Sequence, residues 1–180
     1  MKKILLLSLL IPLISIAQYG AKSKNYDEGY KYYNNGEFER CIVYFTRYIN
    51  EAESYAKTFN IKNHSHLYII RGASYKSIGE YEAAMEDYGK SIEIDDHILG
   101  YNNRACILLK KEEYELAIID FNITISRKSE LIDMGWSDQD LGLIYSNRGF
   151  CKEKIQIDPC DDYKKACYFR YLPACEINCE

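Results

Sequence analysis

The stretch Arg71-Gly72-Ala73-Ser74-Tyr75-Lys76-Ser77-Ile78-Gly79-Glu80-Tyr81-Glu82-Ala83-Ala84-Met85-Glu86-Asp87-Tyr88 decides the fold. Counted from Gly72, small or aromatic residues stand at offsets 3, 7, 9, 12 and 16, namely Tyr75, Gly79, Tyr81, Ala84 and Tyr88. Apolar positions in its second half recur at three and four residues, through Tyr81, Ala84, Met85, Tyr88 and Ile92. That is the period of one helix face, whereas a half-buried strand would alternate. The pattern reads as two antiparallel helices. Gly79 marks the turn, Gly72 lets the second helix approach the first, and Ala84 sits where the two cross.

The same ladder recurs along the chain. From Gly29 it reads Tyr32, Gly36, Phe38, Cys41 and Phe45, and from Ala105 it reads Leu108, Glu112, Tyr114, Ala117 and Phe121. A partial copy begins at Gly149, with Lys152 at the first offset and a shortened second half carrying Pro159, Tyr163 and Ala166. No segment reads convincingly as a strand. Repeats at such a period mean stacked supersecondary units. The ladder resembles the tetratricopeptide repeat, TPR, whose unit is a helix, turn, helix of about 34 residues. The resemblance covers about residues 22 to 180 and implies an all-α fold, an α-solenoid of about four TPR-like units plus a C-terminal helix. The expected units are about 22–55, 65–96, 98–127 and 142–169, with a terminal helix over 172–179. Gly29 to Gly72 spans 43 residues and Ala105 to Gly149 spans 44, against 33 from Gly72 to Ala105. The first and third units therefore carry extra residues, at about 51–60 and 128–138. Ala52 to Phe59 reads as more helical, Met134 to Ser137 as a turn, and Ser137-Asp138-Gln139-Asp140 as a helix start.

The remaining composition bounds what such a fold does. The chain has 180 residues, 47% hydrophobic and 28% charged, with 10 Gly and 3 Pro, a globular rather than a disordered or collagenous balance. Residues 1–17 read as a signal peptide. Lys2 and Lys3 precede the apolar run Ile4 to Ile16, and Ser15 and Ala17 supply the small residues before a cleavage site ahead of Gln18. The run is shorter than the roughly 20 residues that span a bilayer, so no membrane span is expected after cleavage. The first Cys is Cys41, too far on for lipidation after the run. The mature chain 18–180 then carries 21 basic and 27 acidic side chains and is expected in the periplasm or outside the cell. That acidic surplus leaves nothing to neutralise phosphates, so nucleic acid is not an expected partner.

Five of the seven Cys lie in the last thirty residues: Cys151, Cys160, Cys167, Cys175 and Cys179. In an exported chain this density reads first as a disulfide framework. The segment from Cys167 to Cys175 looks like the Cys-bearing SEL-like repeats, relatives of TPRs in which a Cys pair at this spacing bridges one hairpin. That resemblance implies Cys167–Cys175. Residues outside a bridging pair in an antiparallel hairpin approach as well, which brings Cys160 to Cys179, with Cys151–Cys160 as the competing pair. A closing bridge would compensate the last hairpin for its single neighbour. The zinc alternative lacks the two-residue or four-residue spacing on a loop used by zinc ribbons, although Cys175 and Cys179 share a helix face. Cys41 and Cys106 stand at small-residue helix positions and read as buried thiols.

Nothing in the chain reads as an enzyme. His64 and His66 fall on different helix faces without a Cys or Ser at motif spacing, and no glycine-rich phosphate loop or Gly-x-Ser-x-Gly is present. No cofactor is expected. Acidic pairs such as Asp95-Asp96 and Asp161-Asp162 suit helix ends. The TPR resemblance implies instead a non-enzymatic adaptor whose first helices line a concave groove for a peptide or partner protein. Offsets −3, −2 and +1 place there Tyr26, Asp27 and Tyr30; Ile69, Ile70 and Ala73; Asn102, Asn103 and Cys106; and Ser146, Asn147 and Phe150. Tyr33, Lys76, Leu109 and Lys110 lie further along the same helices. The Asn residues could bond a peptide backbone and the Tyr cluster pack its side chains. The competing reading gives the Tyr faces to stacking between units, and the Asn beside Arg71, Arg104 and Arg148 to bridging neighbouring helices. The alternative function, from the SEL-like resemblance, is an enzyme acting on cell-wall or β-lactam substrates.

Overall fold

The computed structural model describes residues 24–59, 64–177 and 179, and side chains outside 55–59. The described residues form ten helices and no strand. They fall into two compact units, divided after Ile61. The first holds one antiparallel hairpin, α1 (Lys24–Asn34) and α2 (Phe38–Phe59). The second holds α3 (Ser65–Ser77), α4 (Tyr81–Asp95), α5 (Ile98–Lys110), α6 (Tyr114–Ser126), α7 (Lys128–Asp133), α8 (Asp138–Lys154), α9 (Cys160–Tyr168) and α10 (Leu172–Cys175). Within it the hairpins α3–α4, α5–α6 and α8–α9 stack in order, α4 on α5 and α6 on α8. This is the all-α repeat architecture read from the ladder.

Each hairpin turns where the ladder has its seventh offset. Gly36 and Gly79 take φ +76° and +87°, a left-handed conformation that glycine adopts without steric penalty. Glu112 and Gln156 hold the same conformation in the later hairpins, at φ 62° and 61°, with the strain of a side chain. The first ladder position then meets the aromatic of the opposite helix. A methyl group on Gly29 would lie 2.8 Å from the Phe45 ring, and one on Gly72 2.8 Å from the Tyr88 ring. Packing this tight leaves room for hydrogen only, which is why the position is small.

The two insertions take different forms. The first lengthens α2, which runs to Phe59. The second is α7 followed by a turn at Gly135, φ +88°, and the start of α8. Ser137 caps α8: its hydroxyl accepts the Asp140 N–H, while the Asp140 carboxylate accepts the Ser137 N–H at 2.9 Å. Leu131 of α7 is fully buried with Phe121, Leu141 and Ile144, so the insertion fills the core between α6 and α8. Burial of such a side chain is worth about 1.5–3 kcal/mol.

At the C-terminus, Cys167 bridges Cys175 with Cα atoms 4.8 Å apart, and Cys160 bridges Cys179 at 5.4 Å. Cys151 is a buried free thiol rather than a partner of Cys160. The terminal helix, expected over 172–179, is a single turn ending at Cys175. The bridge to Cys160 turns the chain back toward the start of α9, which a continuing helix would carry away. Phe169 stacks on Tyr145 of α8, and the Cβ of Tyr171 sits 2.7 Å from where a Gly142 methyl would be. The closed segment thus covers α8. The segment read as a signal peptide lies outside the described residues.

Candidate functional site

The first helices of the second unit present their ladder positions in two ways. Ile69 is 8% exposed and packs with Ala84, Tyr88 and Ile107, and Asn102 is 7% exposed. Both are taken up by packing between helices. Ile70, Ala73, Lys76, Asn103, Cys106, Leu109, Ser146 and Asn147 are half-buried, and Lys110 and Phe150 are exposed. No hydrogen bond joins the Asn103 or Asn147 amide to another described residue, whereas Asn122 on α6 accepts from Arg148 at 2.6 Å. The Lys110 ammonium sits 4.4 Å from the centre of the Tyr81 ring and also donates to its hydroxyl. One repeat further on, Phe150 meets Tyr114 edge-on at 6.3 Å and carries the Lys154 ammonium 5.0 Å above its ring. Lys110 thus joins α5 to the preceding second helix, whereas Lys154 covers a ring of its own helix.

In the first unit the expected groove residues of α1 are drawn together by their own hairpin. Tyr26 lies 4.7 Å from Tyr30 and 5.3 Å from Tyr48, Tyr30 lies 5.4 Å from Phe45, and Tyr33 meets Phe38 at 6.0 Å. Burial pushes the Tyr30 hydroxyl well above the usual phenol range, with Tyr26 adding to it. Asp27 is exposed.

Sequence reasoning missed the polar framework behind the open face. Arg71 donates to Asp87 through Nε at 2.9 Å and Nη2 at 2.6 Å. Arg104 donates to Asp120 in the same fork, at 2.7 and 2.8 Å. Arg148 closes on Asp162, which Lys152 also contacts at 2.8 Å. Each guanidinium also lies over the tyrosine three residues before it: Tyr68, Tyr101 and Tyr145. A planar fork matches a carboxylate with two parallel bonds, which fixes the register of one helix on the other. The Asp120 bond raises the Arg104 pKa above its ordinary value. Burial pushes the Asp87 carboxyl up against the pull of Arg71. The signal was present as Tyr, Arg and Asp at offsets −4, −1 and +15 from Gly72 and Ala105, with Asp at +13 from Gly149.

A surface cavity of about 650 Å³ lies beside the last fork, lined by Ile125, Tyr145, Arg148, Asp161, Lys164 and Tyr168. Among the described residues no group of three or more His, Cys, Asp or Glu is arranged to hold a metal ion. Two of the remaining thiols, Cys106 and Cys151, are weak nucleophiles. Burial pushes the Cys151 thiol up to about 11, and Cys106 is raised by the same cause.

Stacked helix hairpins, small residues under aromatics and an open face on the first helices define a helical-repeat protein. Residues 65–97 match the family model described as Tetratricopeptide repeat. No curated protein matches it at a significant level. Among solved structures it is similar to one titled "Crystal structure of MamA protein", at 18% identity and a TM-score of 0.44, covering 87% of this chain and 95% of that one.

Proposed function

We propose that the protein is an exported, non-enzymatic adaptor that binds a peptide or partner protein along the first helices α3, α5 and α8. The observation that carries this reading is the pair Asn103 and Asn147. These amides stand at the same ladder offset, half-buried, with no hydrogen bond to another described residue. An amide offers both donors and an acceptor, so two of them spaced by one repeat suit an extended peptide backbone. Ile70 and the exposed Phe150 supply apolar contacts beside them, and Lys76 and Lys110 border the face. The aromatic residues Tyr26, Tyr30 and Tyr33 on α1, with Asp27, form a second candidate surface belonging to the first hairpin.

Export is supported by the Lys2-to-Ala17 segment and by two cysteine pairs at disulfide distance, which persist in an oxidising compartment. No described helix is long and apolar enough to cross a membrane. The test is crosslinking in the native envelope followed by mass spectrometry, with wild type and an Asn103→Ala/Asn147→Ala/Phe150→Ala variant of equal helicity by circular dichroism. The variant is expected to lose the partner that wild type captures. Undiminished capture would overturn the assignment of the face.

A further inference from the structure

The chain has three histidines, and His66 lies within electrostatic reach of both His64 and His97. His64 precedes α3, His66 lies on its first turn, and His97 precedes α5 at the joint through which the 65–97 repeat passes to the next. The joint is two residues long. Asp96 ends α4 in the left-handed conformation, φ 56°, and His97 starts α5 with extended backbone. His97 is also the side-chain cap of α5, its Nδ1 accepting the Leu99 N–H at 3.3 Å. Only an unprotonated Nδ1 accepts, so this cap exists in neutral imidazole alone. His64 adds a second constraint, because its Nδ1 is buried and has no hydrogen-bond partner.

The surrounding carboxylates are already engaged. Asp96 accepts from Tyr101 through Oδ1 at 2.6 Å and from Arg127 through Oδ2 at 2.9 Å, and Arg127 also donates to the Asp96 carbonyl at 2.8 Å. Glu130 is held by the same Arg127 at 2.7 and 2.8 Å. Asp95 accepts the Ser65 hydroxyl at 2.6 Å. From α3, α4, α5 and the α6–α7 corner, the groups facing the histidines are therefore bonded carboxylates, a tyrosine and the Arg127 cation. Partial burial, then His97 and His64, lower the His66 pKa, against the pull of Asp95.

We propose that this joint is an acid-sensitive hinge: protonation of its histidines removes the cap on α5 and loosens the link between the 65–97 repeat and the repeat that follows. The sign follows from the chemistry. Above the ordinary histidine range both folded and unfolded chains are neutral and the joint is intact. As pH falls below about 6.5, the unfolded chain takes up a proton that His66 in the closed joint resists, and stability is lost.

The test is amide hydrogen exchange on the full chain with both disulfides formed, at about pH 7.5 and about pH 5.5, corrected for intrinsic exchange rates. Amides at the start of α5 are expected to exchange about fivefold faster at the lower pH, the factor equivalent to an N-cap of about 1 kcal/mol. Those of α8 should hold. His97→Asn supplies a cap that does not titrate and should keep its protection at both pH values. Equal wild-type protection at both pH values, or the same acid loss in His97→Asn, would overturn the hinge. NMR of the wild-type imidazoles gives an answer that needs no variant. His97 must carry its proton on Nε2 at the higher pH, and a proton on Nδ1 there would refute the cap.

Discussion

Where the later hairpins carry Arg71, Arg104 and Arg148, the first has Glu28, and where two of them carry Asp87 and Asp120 it has Tyr44. The α1–α2 hairpin is held instead by rings. Phe45 is fully buried against Gly29, with Tyr26 and Tyr30 around it, and Tyr32 stacks on Tyr44 at 5.2 Å beneath the Arg40 guanidinium. The two solutions differ in what they specify. Aromatic contacts contribute area and tolerate small shifts of one helix along the other, whereas a two-bonded fork exists at one register only. A buried ion pair adds little net stability over a well-packed apolar pair, yet removing one partner strands a charge. The later hairpins are therefore more exact in register, and more sensitive to a single polar substitution, than the first.

The sharpest way to break this comparison is Phe45→Ala, which empties the centre of α1–α2 and should cost about 3–5 kcal/mol. Because the chain divides into two compact units, hydrogen exchange should show lost protection in α1 and α2 with α3 to α10 unchanged. Equal loss throughout would mean the units unfold together. Next, Asp87→Ala should cost about 3 kcal/mol by stranding Arg71, while Arg71→Met/Asp87→Leu should recover most of it in urea unfolding. If the double variant is as unstable as the single, the fork contributes stability and not only register. The smallest effect is expected from Cys167→Ala/Cys175→Ala. Opening an eight-residue loop should cost about 2–3 kcal/mol, read as a lower melting temperature with the α1–α2 transition unmoved.

The fold was legible because its determinants are local. The ladder from Gly72 to Tyr88 states helix period, turn and contact position within 17 residues, and the structure places the aromatic at offset 16 over the small residue that opens the ladder. The Ser137 cap and the turn before it were legible for the same reason. The open face was legible only in part. Offsets name a helix face, but Ile69 and Asn102 lie on that face and are buried, because burial depends on the neighbouring hairpin. The short terminal turn escaped too, since a bridge spanning 19 residues outweighs local helix preference there.

By itself the sequence determined that this chain forms paired helices with small-on-aromatic contacts and a cysteine-dense end, because helix period, turn chemistry and composition are written in neighbouring residues. Only the tertiary structure decided three things: which arginine closes on which aspartate, that His97 comes within electrostatic reach of His66, and that Cys160 pairs with Cys179 and not Cys151. Those outcomes depend on how hairpins stack across 14 to 33 residues of chain, where the distance between two side chains is set by packing rather than by spacing.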